Sequence, residues 1–289
     1  MGHYTFRDPL SGLGTPSLPE GVTKEQLIEA LTACGLSAVG TAITSSSGSA
    51  TLNAVADCLW EQLWVVIDAN PNRDLILEGI TAGVINTGDI MFDAVLRNIP
   101  ISERKYSEGR WKKEVSVDNQ SAASLKEKEF YLATIHRAEN TDDKKKLADI
   151  FAALGRLDKP VLMPLHPRTR NIIRNLNIST SNVIIVQPVG YLLMLYLTAN
   201  AYMILTDSGG IQKEAYFLKV PCTTLRDQTE WVETLKDDWN VLSRIAVAEI
   251  LDKANRKLSC RTHPQQQVFG DGHAAENICR EILRGDKKL

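Results

Sequence analysis

The sequence has no long apolar run. No uninterrupted apolar stretch reaches the ~18 residues that a membrane-spanning helix needs, and the nearest approach, residues 31–43, is short and rich in small residues. The first nine residues do not resemble a secretory signal peptide, because no apolar segment follows a basic one. We therefore expect no membrane association and no export, and we assign the protein to the cytoplasm.

The sequence also lacks clustered cysteines and a strong charge of either sign. Its five cysteines are odd in number, lie far apart and lack the spacing of metal ligands, so we expect reduced thiols. A formal net charge of -2 favours neither nucleic acid nor an anionic membrane as a partner. With 44% hydrophobic residues in 289, the chain has enough apolar side chains for one or two globular domains.

The first part of the chain carries few regular patterns. Residues 1–24 are rich in proline and glycine and predict irregular structure. Apolar spacing predicts helices over 24–34 and 52–64, and a strand follows over 64–68. The serine-rich stretch 42–51 is typical of a flexible connection, although such a run can also hold an anion.

Residues 84–128 show short elements and then a charged stretch. A short strand is expected at 84–86, and a helix opens at Gly88 and runs to residue 96. Residues 101–128 are charged and contain no long apolar stretch. They predict a linker that passes through a surface helix.

After Glu129, apolar runs alternate with helical patterns. This alternation over short loops predicts a parallel sheet that is covered on both faces. The predicted strands are 130–135, 161–165, 183–187, 202–206 and 222–225, the helices between them are 142–155, 168–176, 190–199 and 211–218, and a last helix spans about 272–284.

Polar or conformationally special residues follow each of these strands. Because the carboxyl ends of parallel strands meet at one edge of a sheet, where ligands bind, we expect these residues to converge. The five segments are 136–140, 166–168, 187–191, 207–210 and 226–231.

The segment after the fourth strand has the clearest chemistry. The chain passes through Gly209 and Gly210 into a helix, whose free N–H groups attract an anion. Glycine allows a phosphate to approach the backbone. Ser208 can add a hydroxyl donor, and Glu214, one turn further, can accept hydrogen bonds from sugar hydroxyls. In the alternative interpretation, Ser208 caps the helix and Glu214 complements its dipole.

Other residues at this edge also allow two interpretations. His136 can contact phosphate or exchange a proton, or it can cap the next turn. Arg137 can form a phosphate fork or pair with Glu139. His166 can serve structure or function equally well, and Tyr191 can cover a flat base at the start of its helix.

Seven segments resemble the non-hydrolysing UDP-N-acetylglucosamine 2-epimerases. They occur in the family's order and cover about residues 72–289. The segments are Asn86-Thr-Gly-Asp-Ile-Met-Phe-Asp93, Thr134-Ile-His-Arg-Ala-Glu-Asn140, Pro164-Leu-His-Pro-Arg168, Gln187-Pro-Val-Gly-Tyr-Leu192, Thr206-Asp-Ser-Gly-Gly-Ile-Gln-Lys-Glu-Ala215, Leu225-Arg-Asp-Gln-Thr-Glu-Trp-Val-Glu233 and Phe269-Gly-Asp-Gly272.

The resemblance implies an α/β fold of the glycosyltransferase B type, with UDP held mainly by a Rossmann-like second lobe. It implies a reaction that inverts C2 of the sugar by eliminating UDP to a 2-acetamidoglucal and adding UDP back. No nicotinamide, other cofactor or metal is implied. The implied roles are diphosphate binding by Ser208, Gly209 and Gly210, ribose binding by Glu214, uracil contacts from Val189 and Met194, and phosphate contact and support of UDP departure by His136; Arg137 and His166 complete the candidate UDP site.

The sequence departs from the family in its first part. The family's Gly-Thr-Arg-Pro-Glu, His-Gly-Asp and His-Val-Glu-Ala-Gly-Leu-Arg segments, which supply basic substrate contacts and acid–base carboxylates, have no counterpart in residues 1–71. We therefore predict a shortened, atypical first lobe and linker over residues 1–115 and the UDP lobe over 116–289. Trp231 stands where many relatives have arginine.

Three functions follow from this pattern. The first is UDP-N-acetylglucosamine 2-epimerase. Proton abstraction at C2 needs a positioned base, and the family's acid–base carboxylates have no counterpart in residues 1–71. The second function is therefore a protein that binds UDP or a UDP-sugar without catalysis. The third is a glycosyltransferase of the same architecture. The expected partner is a UDP-sugar, and a homodimer is a further alternative because a second subunit can cover an exposed cleft.

Overall fold

The computed structural model describes residues 64–66, 84–115, 122–262 and 265–285. The chain divides into two compact units, residues 1–94 with 269–289 and residues 95–268. The predicted helix at 24–34, the serine-rich stretch 42–51 and nearly all of the predicted helix at 52–64 lie outside the described residues. Among the helices that can be described, none is both long enough and apolar enough to cross a membrane.

The elements alternate between strand and helix along most of the chain. In chain order they are β1 (Trp64–Val66), β2 (Val84–Asn86), α1 (Ile90–Tyr106), α2 (Trp111–Glu114), β3 (Tyr131–Thr134), α3 (Ala138–Thr141), α4 (Lys144–Leu154), β4 (Val161–Pro164), α5 (Pro167–Asn175), β5 (Val183–Val186), α6 (Tyr191–Asn200), β6 (Met203–Thr206), α7 (Gly209–Phe217), β7 (Cys222–Thr224), β8 (Asn240–Leu242), α8 (Val247–Ala254) and α9 (Ala274–Gly285). Short 3-10 segments occupy Ala122–Ser124, Val232–Asp238 and Ser259–Thr262.

The second unit is built on a six-stranded parallel sheet in the order β5-β4-β3-β6-β7-β8. This is the order of a doubly wound Rossmann-like sheet, in which the strand order reverses between the first strand and the fourth while all strands stay parallel. Here those strands are β3 and β6, and their register pairs Thr134 with Thr206 at the carboxyl end. The topology therefore places the expected ligand crevice at the exits of β3 and β6.

The core lies on both faces of this sheet, because successive side chains of a strand point in opposite directions. Tyr131 and Ala133 of β3 pack with the apolar residues of α4 and α8 on one face. Leu132 packs on the other face with α6 and with Trp111. All four residues of β3 are buried, as expected for a strand that is covered on both sides.

The predicted linker is wrong for the described residues 101–115 and 122–128. Helix α1 continues to Tyr106, and Tyr106, Trp111 and Leu125 are buried in the core. The polar composition hides this packing, because Glu103, Arg104 and Lys105 are exposed on the same turn that buries Tyr106. A few large side chains at the right spacing are enough to anchor the segment.

In the first unit, two of the family-like segments meet. Gly88 and Gly270 have φ values of +92° and +87°, and a Cβ on Gly270 would lie 3.0 Å from the Gly88 Cα. The Asp93 carboxylate accepts hydrogen bonds from the N–H groups of Ala274 (3.1 Å) and Ala275 (2.9 Å) at the start of α9. These segments therefore join α1 to α9 and have a structural role here.

Candidate functional site

The exits of β3 and β6 are joined by a chain of hydroxyl contacts. The Thr134 and Thr206 hydroxyls lie 2.6 Å apart in the buried interior. The Thr206 hydroxyl also accepts a hydrogen bond of 2.9 Å from the Ser208 N–H. This arrangement fixes the turn that follows β6 against the neighbouring strand.

Asp207 is the central residue of the site. Its carboxylate is fully buried and accepts hydrogen bonds from the backbone N–H groups of His136 (3.1 Å) and Arg137 (3.0 Å). The Asn140 amide donates a further bond of 3.1 Å. Burial raises the pKa of Asp207, but the bonds from His136, Asn140 and Arg137 outweigh it and lower the pKa overall. The carboxylate therefore ties the loop after β3 to the turn after β6.

His136 is oriented by this carboxylate, which favours its protonated form. Its Nδ1 lies 3.2 Å from Asp207 Oδ1, while 59% of the His136 side chain is exposed. The hydrogen bond to Asp207 raises the pKa of His136 despite the opposing effect of burial. A cationic imidazole with an exposed surface at a strand exit can stabilise negative charge on a ligand.

The start of α7 presents unbonded backbone donors. The Ser208 hydroxyl accepts a long hydrogen bond of 3.5 Å from the Ile211 N–H, so Ser208 caps the helix as the alternative interpretation proposed. Within the described residues, no hydrogen bond engages the N–H of Gly209 or Gly210. Free N–H groups at the start of a helix, together with the helix dipole, are suited to an anion.

Glu214 is a buried acid without a charge partner. Its side chain is only 7% exposed, and no hydrogen bond or ion pair engages its carboxylate among the described residues. Burial raises the pKa of Glu214 to about 7. A carboxylate that only complemented the helix dipole would not need this costly position. The environment instead suits an acceptor for hydroxyl groups that a ligand brings.

The candidate uracil contacts lie on α6 and just before it. Val189 and Met194 are half-buried and pack against the margin of the same core cluster that Ile211 of α7 contacts. Tyr191 is 46% exposed, and its pKa is raised to about 12 by burial and by the charge of Glu214. An apolar surface with an exposed ring therefore lies beside the helix that carries Glu214.

The structure places the predicted site residues in two neighbouring groups. His136, Arg137, Ser208, Gly209 and Gly210 meet at the exits of β3 and β6. In the other group, Met194 lies on α6, Glu214 lies on the adjoining helix α7, and Val189 lies just before α6. His166 is exposed after β4 and shares the same edge of the sheet.

Sequence reasoning missed the role of the loop after β7. Glu230 pairs with Arg226 at 2.7 Å and with Arg137 at 3.5 Å. The Glu230 carboxylate and the Trp231 indole lie over Gly209. The sequence showed these residues at a strand exit, but nothing in it indicated that they reach α7.

The matching protein-family model is UDP-N-acetylglucosamine 2-epimerase, and it covers residues 62–283. A UDP-N-acetylglucosamine 2-epimerase homolog from Methanococcus maripaludis is 41% identical over 72% of this chain and 56% of its own length. A UDP-2,3-diacetamido-2,3-dideoxy-D-glucuronate 2-epimerase from Pseudomonas aeruginosa is 37% identical over 80% of this chain and 60% of its own length.

A solved structure shows the same architecture. The Methanocaldococcus jannaschii UDP-GlcNAc 2-epimerase in complex with UDP-GlcNAc and UDP matches with a TM-score of 0.64 and 31% identity, over 81% of this chain and 64% of that one. The prediction of an α/β fold with a parallel Rossmann-like sheet is thus confirmed. The chain spans 56% and 60% of the two curated relatives. It belongs to the UDP-N-acetylglucosamine 2-epimerase family.

Proposed function

We propose that the protein is a UDP-N-acetylglucosamine 2-epimerase whose second unit, residues 95–268, holds the UDP moiety. It interconverts UDP-N-acetylglucosamine and UDP-N-acetylmannosamine by elimination and re-addition of UDP. The observation that carries this proposal is the buried Asp207 carboxylate, which binds His136 and raises its pKa near the open N–H groups of Gly209 and Gly210.

The chemistry of UDP departure explains this arrangement. When the bond between C1 and the phosphate oxygen breaks, negative charge grows on the diphosphate. Preorganised donors and a cation stabilise that charge without reorganisation. The donors are the N–H groups at the start of α7, and the cation is His136. Glu214 accepts hydrogen bonds from the ribose, and Val189 and Met194 lie against the uracil.

The first alternative is a protein that binds a UDP-sugar without turning it over. The absence of the family's acid–base segments from residues 1–71 favours it, because the C2 proton needs a base. In our proposal His136 and Asp207 serve UDP departure and do not abstract this proton.

Turnover and binding assays separate these functions. Proton NMR of UDP-N-acetylglucosamine with the purified chain should show UDP-N-acetylmannosamine, and calorimetry should show UDP binding. Binding without product supports the non-catalytic alternative, and no binding of either compound contradicts both. Equal affinities for UDP and UDP-N-acetylglucosamine would indicate that no sugar pocket is present.

His136 provides the first testable prediction. His136→Asn should lower kcat by about 10²-fold or more, because a positioned cation or proton donor is lost. The matched control is His273→Asn, since His273 is an exposed histidine that faces Glu276 on α9. Equal rates for the two variants would remove His136 from the mechanism.

The sugar is a separate question. The Pseudomonas aeruginosa relative is described as acting on a UDP-2,3-diacetamido-2,3-dideoxy-D-glucuronate, and both sugars share the UDP that this site fits. We propose the N-acetylglucosamine substrate because the matching family model carries that name. Parallel assays with both UDP-sugars test the choice.

We also propose that the protein works in the cytoplasm and forms a homodimer. Cys222, Cys260 and Cys279 are free thiols, which suits the reducing cytoplasm. The homodimer stays a prediction, and multi-angle light scattering of the purified chain tests it.

A further inference from the structure

A carboxylate of the chain itself lies over the start of α7. A Cβ built on Gly209 would lie 2.8 Å from Glu230 Oε1. Gly209 is the first residue of the helix, where the dipole and the unbonded N–H groups attract anions. Glu230 therefore sets a negative charge at the place where the proposed function puts the diphosphate.

Two arginines hold this carboxylate. Arg226 Nη1 lies 2.7 Å from Glu230 Oε2, and Arg137 Nη2 lies 3.5 Å from Oε1. They come from the exits of different strands, β7 and β3, so they approach from two sides. Burial raises the pKa of Glu230, but hydrogen bonding and the charge of Arg226, assisted by Arg137, lower it overall. Guanidinium groups arranged around one carboxylate are equally suited to phosphate oxygens.

The loop around Glu230 is anchored, whereas its carboxylate is accessible. The Thr229 hydroxyl donates to Gln212 Oε1 (2.7 Å), and the Trp231 N–H donates to the Thr229 hydroxyl (3.1 Å). Lys213 Nζ lies 4.1 Å from the centre of the Trp231 ring. By contrast, 44% of the Glu230 side chain is exposed. The carboxylate can therefore leave by rotation of one side chain while the backbone stays in place.

Trp231 supplies an independent sign of a missing acceptor. Its indole Nε1 is buried and has no hydrogen-bond partner in the described part of the chain. The same atom would lie 3.0 Å from a Cβ on Gly209. A buried donor without an acceptor is unfavourable and calls for an explanation. An acceptor that arrives with a ligand at Gly209 explains it.

We propose that Glu230 is an internal competitor that the diphosphate of the substrate displaces. On binding, the phosphate oxygens take over Arg137 and Arg226 and accept the Trp231 N–H. When UDP leaves, Glu230 returns and neutralises the arginines. The proposal rests on the proposed function, since it needs UDP or a UDP-sugar at this turn, and it adds Arg226 and Trp231 to the binding residues.

Calorimetry of UDP and of uridine with wild type and Glu230→Gln tests the proposal. The ion pairs of Glu230 with Arg226 and Arg137 are partly exposed and therefore weak, so they oppose UDP binding only modestly. Removal of the Glu230 charge should tighten UDP binding by about five- to tenfold. Binding of uridine, which has no phosphate to exchange, should not change. Tighter UDP binding with constant uridine binding supports the proposal, whereas unchanged or weaker UDP binding overturns it.

Asp227→Asn is the matched control. Asp227 is exposed in the same loop, and the structure records no ion pair for it in the described region. The Asp227→Asn substitution removes the same charge from the loop. If it tightens UDP binding less than Glu230→Gln does, a general electrostatic cause is excluded. Equal tightening of UDP binding in both variants overturns the proposal that the diphosphate displaces Glu230.

Arg226→Gln is the second variant. It should weaken UDP binding about tenfold and leave uridine binding unchanged, because a phosphate ligand is lost; UDP binding at the wild-type level overturns the proposal. If wild type and Glu230→Gln both fail to bind UDP, the proposed function fails as well. If wild type binds UDP and Glu230→Gln binds it no more tightly, only this inference fails.

Discussion

At the residue scale, burial of the Glu214 carboxyl group makes the stability of the protein depend on pH. Burial raises the pKa of Glu214 in the folded protein to about 7, above its ordinary value of 4.5. The folded protein therefore holds this proton more tightly than the unfolded chain does. The stability that this group contributes is fully present below pH 4.5 and is lost as the pH rises through about 7.

We expect Glu214→Gln to stabilise the free protein at high pH. At pH 8 the free energy of unfolding should rise by ~1–3 kcal/mol, because a buried charge becomes a neutral amide of similar shape. At pH 4 the change should be small, since both forms are then neutral. Urea unfolding at the two pH values measures this, with Glu139→Gln at an exposed site as control.

The same substitution should weaken UDP binding. The carboxylate accepts ribose hydroxyls better than an amide does, so stability and affinity should move in opposite directions. A variant that is less stable at pH 8, or one that keeps full UDP affinity, would show that Glu214 has a structural partner instead of a ligand.

At the scale of elements, one buried amide connects the turn after β6 to its surroundings. Gln212 of α7 is fully buried, and its Nε2 donates to the Ser208 carbonyl (3.2 Å). Its Oε1 accepts from Thr229 (2.7 Å) and from Asn240 of β8 (3.1 Å). The helix, the loop after β7 and the edge strand are thus joined through this side chain.

We expect Gln212→Leu to lower the free energy of unfolding by ~2–4 kcal/mol, because it leaves several polar groups without partners. The contrasting variant is Thr198→Val in α6. Thr198 is also fully buried, but its hydroxyl has no hydrogen-bond partner among the described residues, so its loss should cost ~0.5 kcal/mol or less. Denaturant unfolding compares them, and equal losses would contradict the role of Gln212.

The sheet is largely predictable from the sequence, whereas the site is predictable only in part. The strands β3 to β7 are short apolar runs bounded by polar turns, so each predicted strand end lies within one residue of the observed end. Strand β8 is missed because Asn240 is polar and buried. The position of Glu230 over Gly209 depends on tertiary packing that no local pattern encodes.

At the scale of the whole molecule, the family match extends over both compact units, from residue 62 to residue 283. The family-like segments divide by role. Those at 134–140 and 206–215 form the proposed UDP site, whereas those at 86–93 and 269–272 join α1 to α9 through Asp93. A family resemblance therefore marks structural and ligand-binding residues alike, and the contacts are needed to tell them apart.

The most direct test is a crystal structure of the full chain with UDP. We expect the diphosphate within hydrogen-bonding distance of the backbone N–H groups at 208–210 and of His136, with the ribose hydroxyls on Glu214. UDP bound at another place, or an edge of the sheet that stays empty at saturating UDP, would contradict the assignment of this site.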